Sequence, residues 1–305
     1  MHQRGFGLIL KTRKECKKMR YRMLRYIDGK PKAVTFSYDD GCRQDIILSQ
    51  LLYKYKLKGT FNLNSDWFGK NVNDQHLTKE EIKNYIISNG HEIAVHGAQH
   101  LANGNVRSVN GIYDVLKCRL DLEREFDCIV RGMAYPDTGI SLFQNNASFK
   151  KIRNYLIDLD IVYARSFNTK GGNFELPDDW HNLIPTAHHD DEKLFTYIDS
   201  FLNFKPTDVY PAKRSPKLFY LWGHSYEFDQ NNNWDRIEKI CQALSGKQDI
   251  WYATNIEIYN YVSAYNSLIF SANGTKIYNP SVQTVWFDID GVTHSVNPNE
   301  TLRIE

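Results

Sequence analysis

The stretch VTFSYDDGCRQD, residues 34–45, is an apolar run that ends in two adjacent carboxylates and a glycine. Its β-branched and aromatic residues favour a strand, and an amphipathic helix-like segment follows directly. Asp39 and Asp40 carry like charges, and a buried carboxylate without a partner is strongly destabilising. We therefore expect a cation beside the end of this strand.

Strand-like runs recur along the rest of the chain, at residues 59–64, 92–96, 130–136, 162–167, 218–224 and 250–255. Helix-like segments lie between most of them, and one of these begins with a capping box made by Thr78 and Glu81. Residues 168–189 are the exception and are predicted to form a long loop. Apolar strands that alternate with helices are typical of a parallel sheet covered by helices. The pattern predicts an α/β fold, a distorted (β/α)7 barrel, with a doubly wound open sheet as the alternative.

The helical pattern stops after residue 265. Residues 284–296 have the pattern of two short strands joined through Asp290 and Gly291, which is a hairpin signal. With residues 267–270 and 301–304 they predict a small antiparallel β appendage. The predicted organisation is a basic N-terminal extension (1–28), a catalytic domain (29–264) and the appendage (265–305).

Composition limits the classes of function. The chain has 38 basic and 36 acidic residues, a balance too even to predict nucleic-acid binding. Residues 11–25 hold eight Lys or Arg and one Glu, so this arm could contact an anionic membrane surface, with a solvated helix or a disordered arm as the alternative. No apolar run approaches the ~20 residues of a membrane span, and the five cysteines are scattered as in reduced proteins. We expect a cytoplasmic protein, or an extracellular one if a leader is missing.

Residues with reactive side chains lie at the ends of several predicted strands. Because the carboxyl ends of parallel strands meet at one rim, these side chains should gather there. They are Asp39, Asp40, His96, Tyr135 and His224.

The segment HGAQH places His96 and His100 four residues apart. On a helical turn the two imidazoles share one face and can bind one metal ion. With one aspartate they make a three-ligand site that leaves positions open for water and substrate. Such a cation explains the paired aspartates, one as ligand and one as base. The pattern alone leaves open which is which.

At these motifs the chain resembles the polysaccharide deacetylases, a family of metal-dependent carbohydrate esterases, over residues 33–262. TFSYDDG resembles the family motif T-F-D-D-G with an insertion, which implies Asp39 as catalytic base and Asp40 as metal ligand. HGAQH resembles H-S/T-x-x-H, which implies His96 and His100 as the other ligands. LWGHSYEF resembles the late L-x-H motif, which implies His224 as general acid and Leu221 or Trp222 as a wall of the acetyl pocket.

Two motifs depart from the family pattern. R-P-P-Y is replaced by AYPD, which puts Ala134 at the arginine and Asp137 at the tyrosine, with Tyr135 between them. Arg165 is our candidate for the missing arginine, and backbone groups near Asp137 are candidates for the oxyanion site. A further aspartate usually orients the catalytic histidine beside a tryptophan. The segment PDDWHN, with Asp178 and Asp179 before Trp180, is a loose match to it, and Asp179 is our candidate. Glu227 is a candidate contact to substrate or to the catalytic groups.

The resemblance implies removal of acetyl groups from a glycan, with N-acetyl favoured over O-acetyl. It implies a divalent metal, Zn²⁺ first, with Co, Mn or Ni as alternatives. Two other hypotheses stay open. The altered third motif fits a glycan-binding protein that has lost activity, and a set of two histidines and one carboxylate also serves non-haem iron enzymes.

Overall fold

The computed structural model describes residues 21–167, 170–206 and 213–304. The strands are β1 (Arg22–Arg25), β2 (Lys32–Tyr38), β3 (Gly59–Leu63), β4 (Asn71–Val72), β5 (Asp74–Gln75), β6 (Glu92–Val95), β7 (Gly132–Ala134), β8 (Tyr163–Arg165), β9 (Ala187–His188), β10 (Lys217–Gly223), β11 (Ile250–Tyr252), β12 (Ile269–Phe270), β13 (Lys276–Tyr278), β14 (Val285–Ile289), β15 (Val292–Val296) and β16 (Thr301–Arg303). The helices are α1 (Asp45–Lys54), α2 (Lys79–Glu81, continued by a π-helix over Ile82–Ile87), α3 (Ser108–Phe126), α4 (Phe149–Asp158), α5 (Leu194–Asn203), α6 (Tyr226–Gln230), α7 (Trp234–Leu244) and α8 (Asn255–Asn266).

An eight-stranded parallel sheet forms the centre of the fold. Its order is β8-β7-β6-β3-β2-β10-β9, and β11 pairs with β2. All seven strands predicted from the sequence are present, so the prediction of a distorted (β/α)7 barrel is confirmed. Strand β9 was not predicted. It lies within the stretch assigned to a loop.

Alternation along β2 explains why Asp39 faces inward. Val34, Phe36 and Tyr38 belong to the apolar core of the barrel domain. Thr35 and Ser37 point the other way and bond to polar groups, for example Thr35 Oγ1 to Asn255 Oδ1 at 2.9 Å. Since successive strand residues face opposite sides, Asp39 continues the polar face of Thr35 and Ser37.

The barrel is closed by a segment that runs from Leu183 to His188. Leu183 makes two backbone hydrogen bonds of 3.0 Å to residues in or next to β8, and Ala187 and His188 pair with β10. This segment therefore joins the two ends of the sheet. It also carries His188 and His189 to the end of β10, where His224 follows.

The C-terminal residues form two three-stranded sheets, β1-β14-β15 and β12-β13-β16. The predicted hairpin is present, and Asp290 and Gly291 turn it with φ of 50° and 95°. Part of the predicted N-terminal extension lies here, because β1 pairs with β14 and Arg25 is buried 3.6 Å from Asp288. Residues 1–20 of that extension lie outside the described residues. None of the described helices is both long and apolar enough to cross a bilayer.

Candidate active site

A pocket of about 580 Å³ opens at the carboxyl ends of the central strands. It brings together most of the residues that the sequence singled out. Among those that line it are Asp39, Asp40, His96, His100, Tyr135, Asp137, Arg165, Trp222 and His224.

Asp40 faces two imidazoles. Its Oδ1 lies 3.5 Å from His96 Nε2 and 3.4 Å from His100 Nε2. The same oxygen is buried and has no hydrogen-bond partner in the described part of the chain. Asp40 has a φ of 76°, which breaks the strand alternation and lets neighbouring aspartates both reach the pocket.

The proton on His96 is fixed by its backbone neighbour. His96 Nδ1 lies 3.0 Å from the carbonyl oxygen of Ala134, which only accepts hydrogen bonds, so Nδ1 carries the proton. The lone pair of Nε2 then points at Asp40. Burial lowers the pKa of His96 to about 4, so the ring is neutral at pH 7. A neutral imidazole oriented through its other nitrogen is typical of a metal ligand.

The segment between the two histidines is not helical, and the predicted helical turn is wrong. Residues 96–100 form a loop around Asp114 of α3, whose carboxylate accepts the N–H groups of Gln99 at 2.7 Å and Leu101 at 3.3 Å. Gly97 has a φ of 75°, and a Cβ there would lie 2.2 Å from Asp114 Oδ2. A glycine at this position and the carboxylate of Asp114 therefore shape the loop that presents His100.

Asp40, His96 and His100 fit a divalent metal. Two imidazole nitrogens and one carboxylate oxygen are the donors that zinc and its neighbours in the transition series accept. Ligands at zinc bond lengths on a tetrahedron lie about 3.3–3.4 Å apart. The two distances from Asp40 match that spacing, and an ion there would satisfy its orphaned oxygen.

Asp39 is buried and surrounded by positive or polar groups. Arg165 Nη2 contacts its Oδ2, Asn62 Nδ2 donates to its Oδ1 at 2.8 Å, and the Nε2 atoms of His96 and His224 each lie 3.9 Å from its Oδ2. Burial alone would raise the pKa of Asp39, but Arg165 first, then the histidines and Asn62, hold it below its ordinary value. Asp39 is therefore ionised at neutral pH.

Arg165 reaches Asp39 from β8 on the far side of the barrel interior. Its Nη1 donates to the carbonyl of Ser166 at 3.4 Å, and its guanidinium lies 4.5 Å from the centre of the Trp222 ring. Only one nitrogen of the guanidinium contacts the carboxylate, so the pair is not bidentate. The side chain is held by Ser166 and Trp222 as well as by Asp39.

His224 stands beside Asp39 with a carboxylate behind it. Its Nδ1 lies 3.4 Å from Glu227 Oε1, and its backbone N–H donates to Glu227 Oε2 at 3.1 Å. Burial alone would lower the pKa of His224, but Glu227, Asp39 and Asp40 together raise it to about 9. The ring is a cation at neutral pH.

Tyr135, Asp137 and Trp222 line the pocket in different ways. The hydroxyl of Tyr135 donates to the carbonyl of His181 at 2.8 Å and its backbone N–H to the carbonyl of Arg165 at 2.9 Å, so neither is free. The backbone N–H of Asp137, at a φ of 50°, has no partner among the described residues. Trp222 faces the pocket, whereas Leu221 lies in the apolar core, so the wall is Trp222.

Asp179 is not brought to this group. It accepts the N–H of His181 at 2.9 Å and pairs with Arg153 at 2.7 Å, and it does not line the pocket. The carboxylate beside His224 is Glu227. Sequence reasoning missed Asn62, although a polar residue between Phe61 and Leu63 on a strand signals an inward-facing side chain. It also missed the packing of His100 on Trp67, whose ring centres are 5.4 Å apart.

Comparison with known proteins confirms the resemblance seen in the sequence. The polysaccharide deacetylase family model matches residues 27–150. A Mycobacterium smegmatis protein assigned to the polysaccharide deacetylases has a similar fold, with a TM-score of 0.55 and 15% identity over 82% of this chain and 96% of that one. Comparison with curated proteins gave no match.

Two further solved structures are similar over part of the chain. Streptococcus pyogenes deacetylase PplD, in complex with acetate, has a TM-score of 0.41 and 15% identity over 48% of this chain, which spans 61% of PplD. A Pseudomonas aeruginosa PAO1 protein assigned to the polysaccharide deacetylases has a TM-score of 0.49 and 12% identity, over 75% of this chain and 90% of that one.

Proposed function

We propose that this chain is a metal-dependent deacetylase that removes acetyl groups from a glycan, N-acetyl in preference to O-acetyl. One observation carries the proposal. A buried, ionised Asp39 and a cationic His224 lie 3.9 Å apart, next to a cluster of three side chains that could hold a metal ion. A base, an acid and a Lewis-acid site in one pocket are what hydrolysis of an amide requires.

Asp40, His96 and His100 would hold the metal, Zn²⁺ in the first instance and Co, Mn or Ni as alternatives. When bound, such an ion polarises the acetyl carbonyl and lowers the pKa of a coordinated water towards about 7. The chain prepares for it by keeping Nε2 of His96 unprotonated and by leaving Asp40 Oδ1 without another partner.

Asp39 is the proposed base. Arg165 keeps it ionised, and Asn62 holds its other oxygen, so the carboxylate can take a proton as water attacks the carbonyl carbon. The N–H of Asp137, on the pocket wall, is the proposed donor to the oxygen of the tetrahedral intermediate. It takes the role that the tyrosine position of the family motif implied.

His224 is the proposed acid. Its charged ring can give the Nε2 proton to the leaving group, after which acetate and the free amine depart. An amide nitrogen must be protonated before it leaves, whereas an alkoxide needs this help less. An imidazolium held ready by nearby carboxylates therefore favours N-acetyl substrates.

The pocket wall suits a sugar. Trp67, Phe167, Trp222 and Tyr226 line it beside the polar groups. Aromatic rings pack against the apolar faces of sugar rings, and the polar groups can bond to hydroxyls.

Acetate release from N-acetylated chito-oligosaccharides and from O-acetylated xylan tests this function. With zinc present we expect release from the N-acetylated substrate at the higher kcat/KM, and loss of release after chelation. The Asp40→Ala variant is the matched negative control. Sugar binding without acetate release on either substrate would instead support the inactive glycan-binding hypothesis.

A further inference from the structure

We infer that Glu227, backed by His188 and His189, is a positioning group that aims and holds the His224 ring. The inference rests on the proposed role of His224 as the acid. The group is assembled from two places in the chain, the turn that follows β10 and the segment that closes the barrel.

Glu227 holds both the backbone and the ring of His224. It sits one helical turn after His224, its Oε2 accepts the backbone N–H at 3.1 Å, and its Oε1 faces Nδ1 at 3.4 Å. A carboxylate at Nδ1 fixes the orientation of the ring, with Nδ1 towards Glu227. Nε2 is then the atom that faces Asp39, at 3.9 Å. This is the work that the family pattern gives to an aspartate elsewhere in the chain.

Two further imidazoles converge on the same carboxylate. The Nε2 atoms of His188 and His189 each lie 3.2 Å from Glu227 Oε2. His189 is completely buried and packs between the rings of Tyr38 and Phe228, with centres 5.7 Å and 4.2 Å away. A Cβ on Gly223 would lie 2.0 Å from His189 Nδ1, so His189 can occupy this place only beside a glycine.

The proton on His188 is set by the backbone. The N–H of Asp190 donates to His188 Nδ1 at 3.2 Å, so that nitrogen offers a lone pair and the proton of the neutral ring is on Nε2, facing Glu227. The His188 ring therefore turns its N–H side to the carboxylate, 3.2 Å away. The ring N–H of His188 and the backbone N–H of His224 both face Oε2 of Glu227. These two N–H groups keep the Glu227 carboxylate ionised and in place.

The same side chains look like metal ligands at first sight. Donor atoms of His188, His189, Asp190 and Glu227 all lie within 4.8 Å of one another. Metal binding through His188 Nε2 would require a lone pair there, and the N–H of Asp190 at Nδ1 opposes that tautomer. His96 shows the opposite arrangement, with its Nδ1 beside an acceptor. The tautomer of His188 thus favours a positioning group over a second metal site.

The consequence for His224 is electrostatic as well as geometric. The close approach of His188, His189 and His224 outweighs burial and holds the pKa of Glu227 below its ordinary value, so a negative charge lies on the Nδ1 side of the ring. The titratable and charged groups that face or influence His224 are Asp39, Asp40, Asp45, His188, Tyr226 and Glu227. Glu227 contacts Nδ1 at 3.4 Å, whereas Asp39 faces Nε2 at 3.9 Å.

Kinetics of three variants test the inference. Glu227→Gln should lower kcat about 10–100-fold with little change in KM, and it should move the alkaline limb of kcat/KM to lower pH. His188→Ala should do the same to a smaller extent. His188→Gln keeps an N–H donor near the Nε2 position and should recover most of the activity that His188→Ala loses. Asp191→Asn, three residues after His188, is the matched control.

Two readouts do not depend on finding a substrate. NMR titration of His224 in metal-free protein should show a lower pKa in Glu227→Gln than in the parent, and this holds even if the proposed reaction fails. Metal analysis should find one zinc per chain in the parent, Glu227→Gln and His188→Ala. An unchanged His224 titration would overturn the inference, as would a second zinc equivalent that both variants lose.

Discussion

Arg165, at the end of β8, places its guanidinium on the carboxylate of Asp39, at the end of β2. Both side chains are buried, and three strands, β7, β6 and β3, lie between β8 and β2 in the sheet order. The contact exists because the barrel curls and brings the two strand ends across its interior. It supplies the cation that the sequence lacks at Ala134.

The first prediction concerns the planar shape of the Arg165 guanidinium. Arg165→Lys keeps the charge but loses the planar contacts to Ser166 and Trp222, so we expect normal metal binding and a fall in kcat of about 10–100-fold. Steady-state kinetics and metal analysis measure both. Arg153→Lys, in the ion pair with Asp179 outside the pocket, is the matched control. Parental kcat in Arg165→Lys would refute the role.

The second prediction concerns stability. Arg165→Met leaves a buried, uncompensated carboxylate at Asp39, so the free energy of unfolding at pH 7 should fall by about 3–5 kcal/mol. Because Arg165 lowers the pKa of Asp39, its contribution is present above the ordinary aspartate range and is lost as the pH falls. Urea unfolding of metal-free protein at pH 7 and pH 4 should show the deficit shrinking in acid. A deficit independent of pH would point to lost packing instead.

The third prediction concerns the metal ligands. Asp40→Ala, His96→Ala and His100→Ala should each reduce bound zinc well below one per chain and abolish acetate release. Asp74→Ala removes another pocket carboxylate that is outside the cluster, and it should retain zinc. Full occupancy in an Asp40→Ala, His96→Ala double variant would contradict the assignment.

The fourth prediction separates a clash from backbone strain. Gly97 and Gly90 have φ of 75° and 78°, but a Cβ would strike Asp114 only at Gly97 and meets nothing within 4 Å at Gly90. Both alanine variants share the cost of a positive φ. Gly97→Ala should in addition weaken zinc affinity by about 10–100-fold, since it displaces the loop that carries His100. Equal zinc affinity in the two variants would show that Asp114 does not position the loop.

The fifth prediction is the pH dependence of catalysis. The pKa of His224 is raised to about 9, so the acid is protonated at neutral pH and activity should fall as the pH rises through that value. The pKa of Asp39 is lowered, so the base should be protonated only below the ordinary aspartate range. The kcat/KM profile should be bell-shaped, with both limbs belonging to the coupled site. His224→Ala should remove the alkaline limb and lower kcat about 10²–10⁴-fold.

Most of the fold could be predicted from the pattern of short apolar strands in the sequence. The seven predicted strands are short apolar runs bounded by turns, and such runs are recognisable one at a time. Strand β9 has two residues in a stretch with Gly and Pro. It pairs with β10, while Leu183, four residues earlier, bridges to Arg165 of β8. No local pattern encodes that. The closure of the barrel could therefore not be predicted from the sequence.

The candidate site could also be predicted only in part. Asp39, Asp40, His96 and His224 were expected to lie together because they stand at strand ends, and the ends of parallel strands meet at one rim. The spacing of His96 and His100 suggested a helix, but Asp114 and the positive φ of Gly97 impose a loop. Asp179 was favoured by its neighbour Trp180, yet it pairs with Arg153 elsewhere. Which carboxylate meets His224 depends on tertiary packing that motif order does not show.

The two neighbouring aspartates have different proposed roles: Asp39 is the catalytic base and Asp40 is a metal ligand. Asp39→Asn tests this assignment most directly, because the change removes the base and leaves Asp40, His96 and His100 in place. Zinc content and acetate release are measured on the same sample of the parent and the variant. We predict one zinc per chain in both, and a kcat about 10²–10⁴-fold lower in Asp39→Asn. Parental acetate release by zinc-loaded Asp39→Asn would contradict the account.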